Sequence, residues 1–137
     1  VFANQGYMVE PTFVTKIVDR SGNILEEMNP VRQKVIEEST AYIMTSLLEG
    51  VVKFGTAQRI RALKRPVAGK TGTTNDLIDA WFIGYTPSYV TGVWVGYDQE
   101  RSLGEGETGA RAASPIWLGF MEAMLEWHLI YRAEDDM

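Results

Sequence analysis

The chain has 137 residues, 45% of them hydrophobic, with four Trp and five Phe; it is long and apolar enough to bury a core, which excludes a disordered chain. A net charge of −5 argues against nonspecific nucleic-acid binding, and the absence of cysteine beside a single histidine argues against a disulfide scaffold, a zinc site and a thiol enzyme. No apolar run reaches the roughly 18–20 residues of a membrane span. The chain opens on Val1-Phe2-Ala3-Asn4 without an initiator Met, so the expectation is a piece of a longer protein with any targeting segment upstream.

Residues 11–18 alternate and are rich in β-branched side chains, Asp19-Arg20-Ser21-Gly22-Asn23 supplies a turn, and Ile24-Leu25 begins a return strand. This predicts a β-hairpin. From Ser39 to Phe54 the period becomes helical, with Ile43, Leu47, Val51 and Phe54 beside Met44 and Leu48 on a core-facing stripe. Ser39 is the expected N-cap and Gly55 the expected stop, and Gly50 inside the helix predicts a close packing partner. A strand follows over residues 65–73. Residues 80–86 and 89–97 are near-continuous apolar runs joined by Pro87-Ser88, which predicts antiparallel neighbours covered on both faces. Gly84, Gly92 and Gly96 within them predict bulges or close approach of other backbone. Residues 99–113 read as a polar, Gly-rich loop. Ser114-Pro115 then opens a helix as N-cap and N1, with Ile116, Phe120, Met124 and Trp127 in one apolar row and Trp117, Met121 and Leu125 in another. The order is hairpin, helix, three strands, helix, read as one compact α+β unit.

The chemistry concentrates in Val67-Ala68-Gly69-Lys70-Thr71-Gly72-Thr73-Thr74. On an extended strand Thr71 and Thr73 share a face, so two hydroxyls can hold two carboxylate oxygens. Gly72 has no side chain to stop a ligand backbone from lying along the strand, and the Thr73 N–H can serve an oxyanion hole. Lys70 supplies positive charge. Lys53, Arg59, Arg61, Lys64 and Arg65 precede it with no acid between Gly50 and Asn75, which fits either a solvated loop or a positive approach to an anion site. A phosphate-binding loop is excluded, since it needs Gly where Lys64 stands and a helix beginning at the lysine. His128 reads as a helix-end or packing histidine. The carboxylate pairs Glu26-Glu27, Glu105 with Glu107, and Asp135-Asp136 read as solvated.

Phe2-Ala3-Asn4-Gln5-Gly6-Tyr7, Gly55-Thr56-Ala57, the Lys70-Thr71-Gly72-Thr73-Thr74-Asn75-Asp76 stretch, Asp79-Ala80-Trp81-Phe82-Ile83-Gly84-Tyr85-Thr86-Pro87 and Ala113-Ser114-Pro115-Ile116-Trp117 together resemble class A (bifunctional) penicillin-binding proteins over residues 2–125. The resemblance implies the C-terminal part of a serine β-lactamase/penicillin-binding-protein-like fold: an antiparallel sheet with packed helices, plus the hairpin. It implies a peptidoglycan D,D-transpeptidase, acylated by β-lactams and working without cofactor or metal on the outer face of the bacterial cytoplasmic membrane. Lys70 would be its catalytic lysine, and Thr71, Gly72, Thr73 and Thr74 its substrate-binding residues. The family's Ser-x-x-Lys is absent, because the residues three places after Ser21, Ser39, Ser46, Ser88, Ser102 and Ser114 are Ile24, Tyr42, Glu49, Thr91, Glu105 and Trp117. Ser21-Gly22-Asn23 matches Ser-x-Asn only as turn chemistry. The partners implied are the stem peptide, β-lactams and the upstream half of the same domain, with a membrane reached only through a segment absent here and no nucleic acid. The sheet would then carry an open edge. A noncatalytic peptide- or protein-binding module is the alternative; a stand-alone β-lactamase fits the aromatic strand pair less well.

Overall fold

The structure, a computed structural model, describes the backbone of residues 1–135 and the side chains of residues 1–127. The readings of His128 and of Asp135-Asp136 lie outside the described side chains. The chain forms two compact units, Val1–Met44 and Thr45–Met137.

The first unit holds two small antiparallel ribbons: β1 (Tyr7–Val9) pairs with β4 (Arg32–Lys34), and β2 (Lys16–Val18) pairs with β3 (Ile24–Glu27). The second is the expected hairpin, and Leu25 bulges out where the register shifts. Its turn is closed by Asp19, whose carboxylate accepts the Ser21 and Asn23 N–H groups at 2.8 and 2.9 Å and the Asn23 side-chain amide at 2.8 Å. Those bonds, the Asn23 amide first, hold the exposed Asp19 carboxyl below its ordinary pKa. Gly22 sits at φ 84°, which confirms Ser21-Gly22-Asn23 as a turn.

Helix α1 spans Glu38–Phe54 and so starts one residue before Ser39. The Ala41 N–H bonds to the Glu37 carbonyl at 3.0 Å, so the cap position belongs to Glu37 and Ser39 lies in the first turn. The helix ends before Gly55 as expected. Its buried positions are Ala41 and Val52, whereas Ile43, Leu47 and Phe54 of the predicted stripe are exposed. The sequence has more apolar residues than one helix face can bury, and the face that carries Ala41 and Val52 is the one turned in. A side chain at Gly50 would meet open space, so no close partner crosses there.

In the second unit β5 (Ala68–Thr73), β6 (Ala80–Tyr85) and β7 (Val90–Val95) form an antiparallel sheet in the order β5-β6-β7, leaving β5 at one edge. Helix α2 (Ser114–Asp135) lies on one face through Trp117 and Met121, both fully buried. Trp117 meets Phe82 edge-on at 5.2 Å and donates its Nε1–H to the Thr91 carbonyl at 2.9 Å. Val52, Ala57, Ile60, Val67 and Ala113 complete this core. Gly84 makes room for the indole, since a Cβ there would stand 3.0 Å from the Trp117 ring. No register shift interrupts β6 or β7, so neither strand is bulged; Gly84 marks a close approach, by the Phe82 and Trp117 side chains and not by backbone, whereas a Cβ at Gly92 would make only an ordinary contact with Ile83.

Three expectations for this unit are corrected. Trp81, Ile83 and Trp94 on the second face are 40, 51 and 46% exposed, so the strands are covered on one face only. In α2 the Trp117–Met121 row is the buried one, while Ile116, Phe120 and Trp127 point outward. Ser114 is not an N-cap, because a π-helical turn, Gly109–Ala113, runs directly into the helix. Pro115 has no N–H for the Arg111 carbonyl and its ring would strike that carbonyl in a regular helix. The wider turn accommodates it. Accordingly the Ser114 N–H bonds five residues back to Gly109, and the Ser114 hydroxyl donates to the Ala110 carbonyl at 2.6 Å.

Candidate functional site

The Lys-Thr-Gly stretch occupies the sheet's free edge. Beyond the Thr73↔Ala80 pair, the Thr74 N–H bonds to the Asp79 carbonyl at 3.1 Å. Bonded and non-bonded pairs alternate in an antiparallel ladder, so Lys70↔Ile83 and Gly72↔Trp81 are bonded pairs. Thr71 and Thr73 therefore aim their N–H and C=O groups away from β6, toward the edge. The Thr73 N–H thus points out of the sheet at its edge.

The side chains follow the same geometry. Thr71 and Thr73, opposite the buried Phe82 and Ala80, share one face, as their spacing predicts. The Thr71 hydroxyl is 2.8 Å from the Thr56 hydroxyl, and the Thr73 hydroxyl accepts the Gly109 N–H at 3.1 Å. Lys70 leaves on the other face, exposed, and its Nζ returns to donate to the free-edge Thr71 carbonyl at 2.9 Å. It forms no ion pair among the described residues. Since β5 runs unbroken through Lys70, no helix N-terminus meets it, in keeping with the exclusion of a phosphate loop.

Gly72 is half-buried at the centre of the edge, with Trp81 packed beside it on one face and Gly109 against its backbone. Thr74 turns to other work. Its hydroxyl accepts the Asp79 N–H at 2.8 Å and lies 3.4 Å from the Asp79 carboxylate, closing the turn between β5 and β6. Asp79 in turn accepts the Trp94 indole N–H at 2.8 Å, which pins Trp94 over the outer face. Two consecutive left-handed residues, Asp76 (φ 59°) and Leu77 (φ 55°), form this turn, and the Leu77 carbonyl accepts the Leu103 N–H at 2.8 Å. Of the basic residues, Lys53 pairs with Glu49, and Arg59, Arg61, Lys64 and Arg65 are exposed. No three His, Asp or Glu side chains among the described residues gather closely enough to hold a metal.

Two residues of this edge carry no prominent sequence signal. Thr56 stands 15 residues from Thr71, in Gly55-Thr56-Ala57, and Gly109 stands 36 residues from Thr73 in what reads as loop. Only the fold brings them to the strand.

A three-stranded antiparallel sheet with a buried tryptophan helix on one face and a Lys-Thr-Gly-Thr strand at its edge is shared with proteins of one family. The family model for the penicillin binding protein transpeptidase domain matches residues 1–118, and the chain belongs to that family. Penicillin-binding protein 1A of Aquifex aeolicus is 48% identical over 124 residues, covering 90% of this chain and 17% of that protein. The crystal structure of penicillin-binding protein 1A from Haemophilus influenzae superposes with a TM-score of 0.84 at 30% identity, over 90% of this chain and 24% of that one. Penicillin-binding protein A of M. tuberculosis, solved as its imipenem acyl-enzyme complex, shares the fold at 22% identity and a TM-score of 0.69, over 90% of this chain and 29% of that one. The chain thus spans less than a third of the length of each of these relatives.

Proposed function

We propose that this chain is the C-terminal part of a class A transpeptidase domain and forms the substrate-binding wall of a peptidoglycan D,D-transpeptidase site. The observation that carries this reading is the β5 edge, where the outward N–H and C=O groups of Thr71 and Thr73, their hydroxyls and Lys70 Nζ come together. A stem peptide adds along that edge as a further strand, with Gly72 offering no side chain against it. The Thr71 and Thr73 hydroxyls hold its carboxylate, the Thr73 N–H faces the carbonyl oxygen that becomes anionic, and Lys70 supplies charge and a proton path. Thr74 supports the edge through the turn it closes with Asp79.

The nucleophile is a serine of the upstream half of the domain, within Ser-x-x-Lys; it attacks the peptide carbonyl, the scissile C–N bond breaks, the C-terminal residue departs as a protonated amine, and an acyl-enzyme remains. β-Lactams enter by the same route, as the imipenem acyl-enzyme of the M. tuberculosis relative supports. The upstream half also covers the apolar face left open by Trp81, Ile83 and Trp94. The complete protein works on the outer face of the cytoplasmic membrane. No helix among the described residues is long and apolar enough to cross a membrane, so attachment comes through another segment.

The test uses this chain joined to the upstream transpeptidase segment of the Aquifex aeolicus relative. Thr73→Val removes the hydroxyl at nearly constant shape, and acylation by a fluorescent penicillin should slow by about 10- to 100-fold, the worth of one hydrogen bond to a charged group. Thr73→Ser should stay close to the parent rate. An unchanged rate in Thr73→Val would overturn the carboxylate-binding role.

A further inference from the structure

The Gly109 contact ties the β5 edge to the base of helix α2. A threonine hydroxyl has one proton to give and two lone pairs to accept with. With the Gly109 N–H donating to Thr73 Oγ1 at 3.1 Å, one lone pair is occupied and the hydroxyl proton is directed to another acceptor. A carboxylate at the strand edge, which can only accept, meets a hydroxyl already set to donate.

The position also admits no side chain. A Cβ on Gly109 would lie 2.2 Å from the Trp81 carbonyl oxygen, 2.5 Å from that of Gly72 and 3.1 Å from the Gly72 nitrogen. These are backbone atoms of a bonded strand pair and cannot yield without moving the edge itself. Gly109 is held from its other side by the π-turn that Pro115 requires. The Ser114 N–H returns to the Gly109 carbonyl, and the Arg111 and Ala112 N–H groups both reach the Thr108 carbonyl at 2.9 and 2.8 Å.

We propose that Gly109 is a positioning residue of the site: its N–H fixes the Thr73 hydroxyl as a donor, and its bare Cα lets the π-turn seat against the Gly72–Trp81 backbone. This rests on the carboxylate-binding role proposed for Thr73. The N–H acts through Thr73, so the two substitutions should not be fully additive.

The experiment again uses the chain joined to the upstream segment of the Aquifex aeolicus relative, and resolves penicillin acylation into the affinity of the initial complex and the acylation rate within it. Gly109→Ala should weaken the initial complex by about tenfold or more, because its Cβ displaces the Gly72–Trp81 backbone and with it the Thr73 hydroxyl, and its effect should be smaller in a Thr73→Val background, where that hydroxyl is already gone. Fully multiplicative losses or parent-like behaviour of Gly109→Ala would overturn the proposal. Amide hydrogen exchange keeps the test open if Gly109→Ala fails to fold: exchange at Gly109 should accelerate in Thr73→Val and stay slow in Thr73→Ser, and equal rates in all three would overturn it. An unchanged Thr73→Val acylation rate beside faster Gly109 exchange would instead overturn the role of Thr73 on which the proposal rests.

Discussion

Replacing Lys70 with Ala, in this chain joined to an upstream transpeptidase segment, should lower the penicillin acylation rate by about 10²- to 10⁴-fold, the range of a positioned proton-transfer group. The ammonium already lies on the docking edge, bonded to the Thr71 carbonyl at 2.9 Å. A carbonyl oxygen has two lone pairs, so a ligand N–H can join that carbonyl without displacing the lysine. Lys70→Arg separates the two roles of the charge. Guanidinium keeps the attraction for a carboxylate but does not exchange its proton near neutral pH, so affinity should persist while the acylation step slows. Acylation of Lys70→Ala at the parent rate would remove Lys70 from the chemistry.

The largest effect on stability should come from Trp117→Ala, with a loss of about 3–5 kcal/mol in urea unfolding of this chain. Trp117 is fully buried, packs edge-on against Phe82 and fills the space that Gly84 leaves. Truncation opens a cavity at the centre of the core and strips the Thr91 carbonyl of its indole donor. Ile116→Ala, one residue away but 54% exposed, should cost about 1 kcal/mol or less. Comparable losses in the two variants would contradict the assignment of the buried face of α2.

What the sequence made legible follows from how local each signal is. The hairpin was readable because Asp19, Gly22 and Asn23 close it within five residues. The strand meander was readable from its short connection and apolar runs. Thr71 and Thr73 on one face follow from the period of a strand alone. The β1–β4 ribbon was not readable, because Arg32-Gln33-Lys34 has no apolar alternation and pairs with the distant Tyr7–Val9. The buried faces of both helices were ambiguous for a different reason. Each carries apolar residues around more than half its circumference, and only tertiary packing selects Val52 over Leu47, or Trp117 over Phe120. Ser114-Pro115 has the signature of a helix start, yet the helical path begins five residues earlier, with the π-turn absorbing the proline. Thr74 adjoins the other edge residues in sequence, and its contact with Asp79 is visible only in the folded turn. The supports of the site, Thr56 and Gly109, are visible only once the chain is folded.

The central claim is that this chain carries the binding wall of the site and that its nucleophile lies upstream. Labelling with a fluorescent penicillin tests it most directly, by comparing the chain alone with the chain joined to an upstream segment containing Ser-x-x-Lys and Ser-x-Asn. The joined protein should label one to one and lose the label when the serine of Ser-x-x-Lys becomes Ala, while the chain alone stays unlabelled. Stoichiometric acylation of the chain alone would contradict the account.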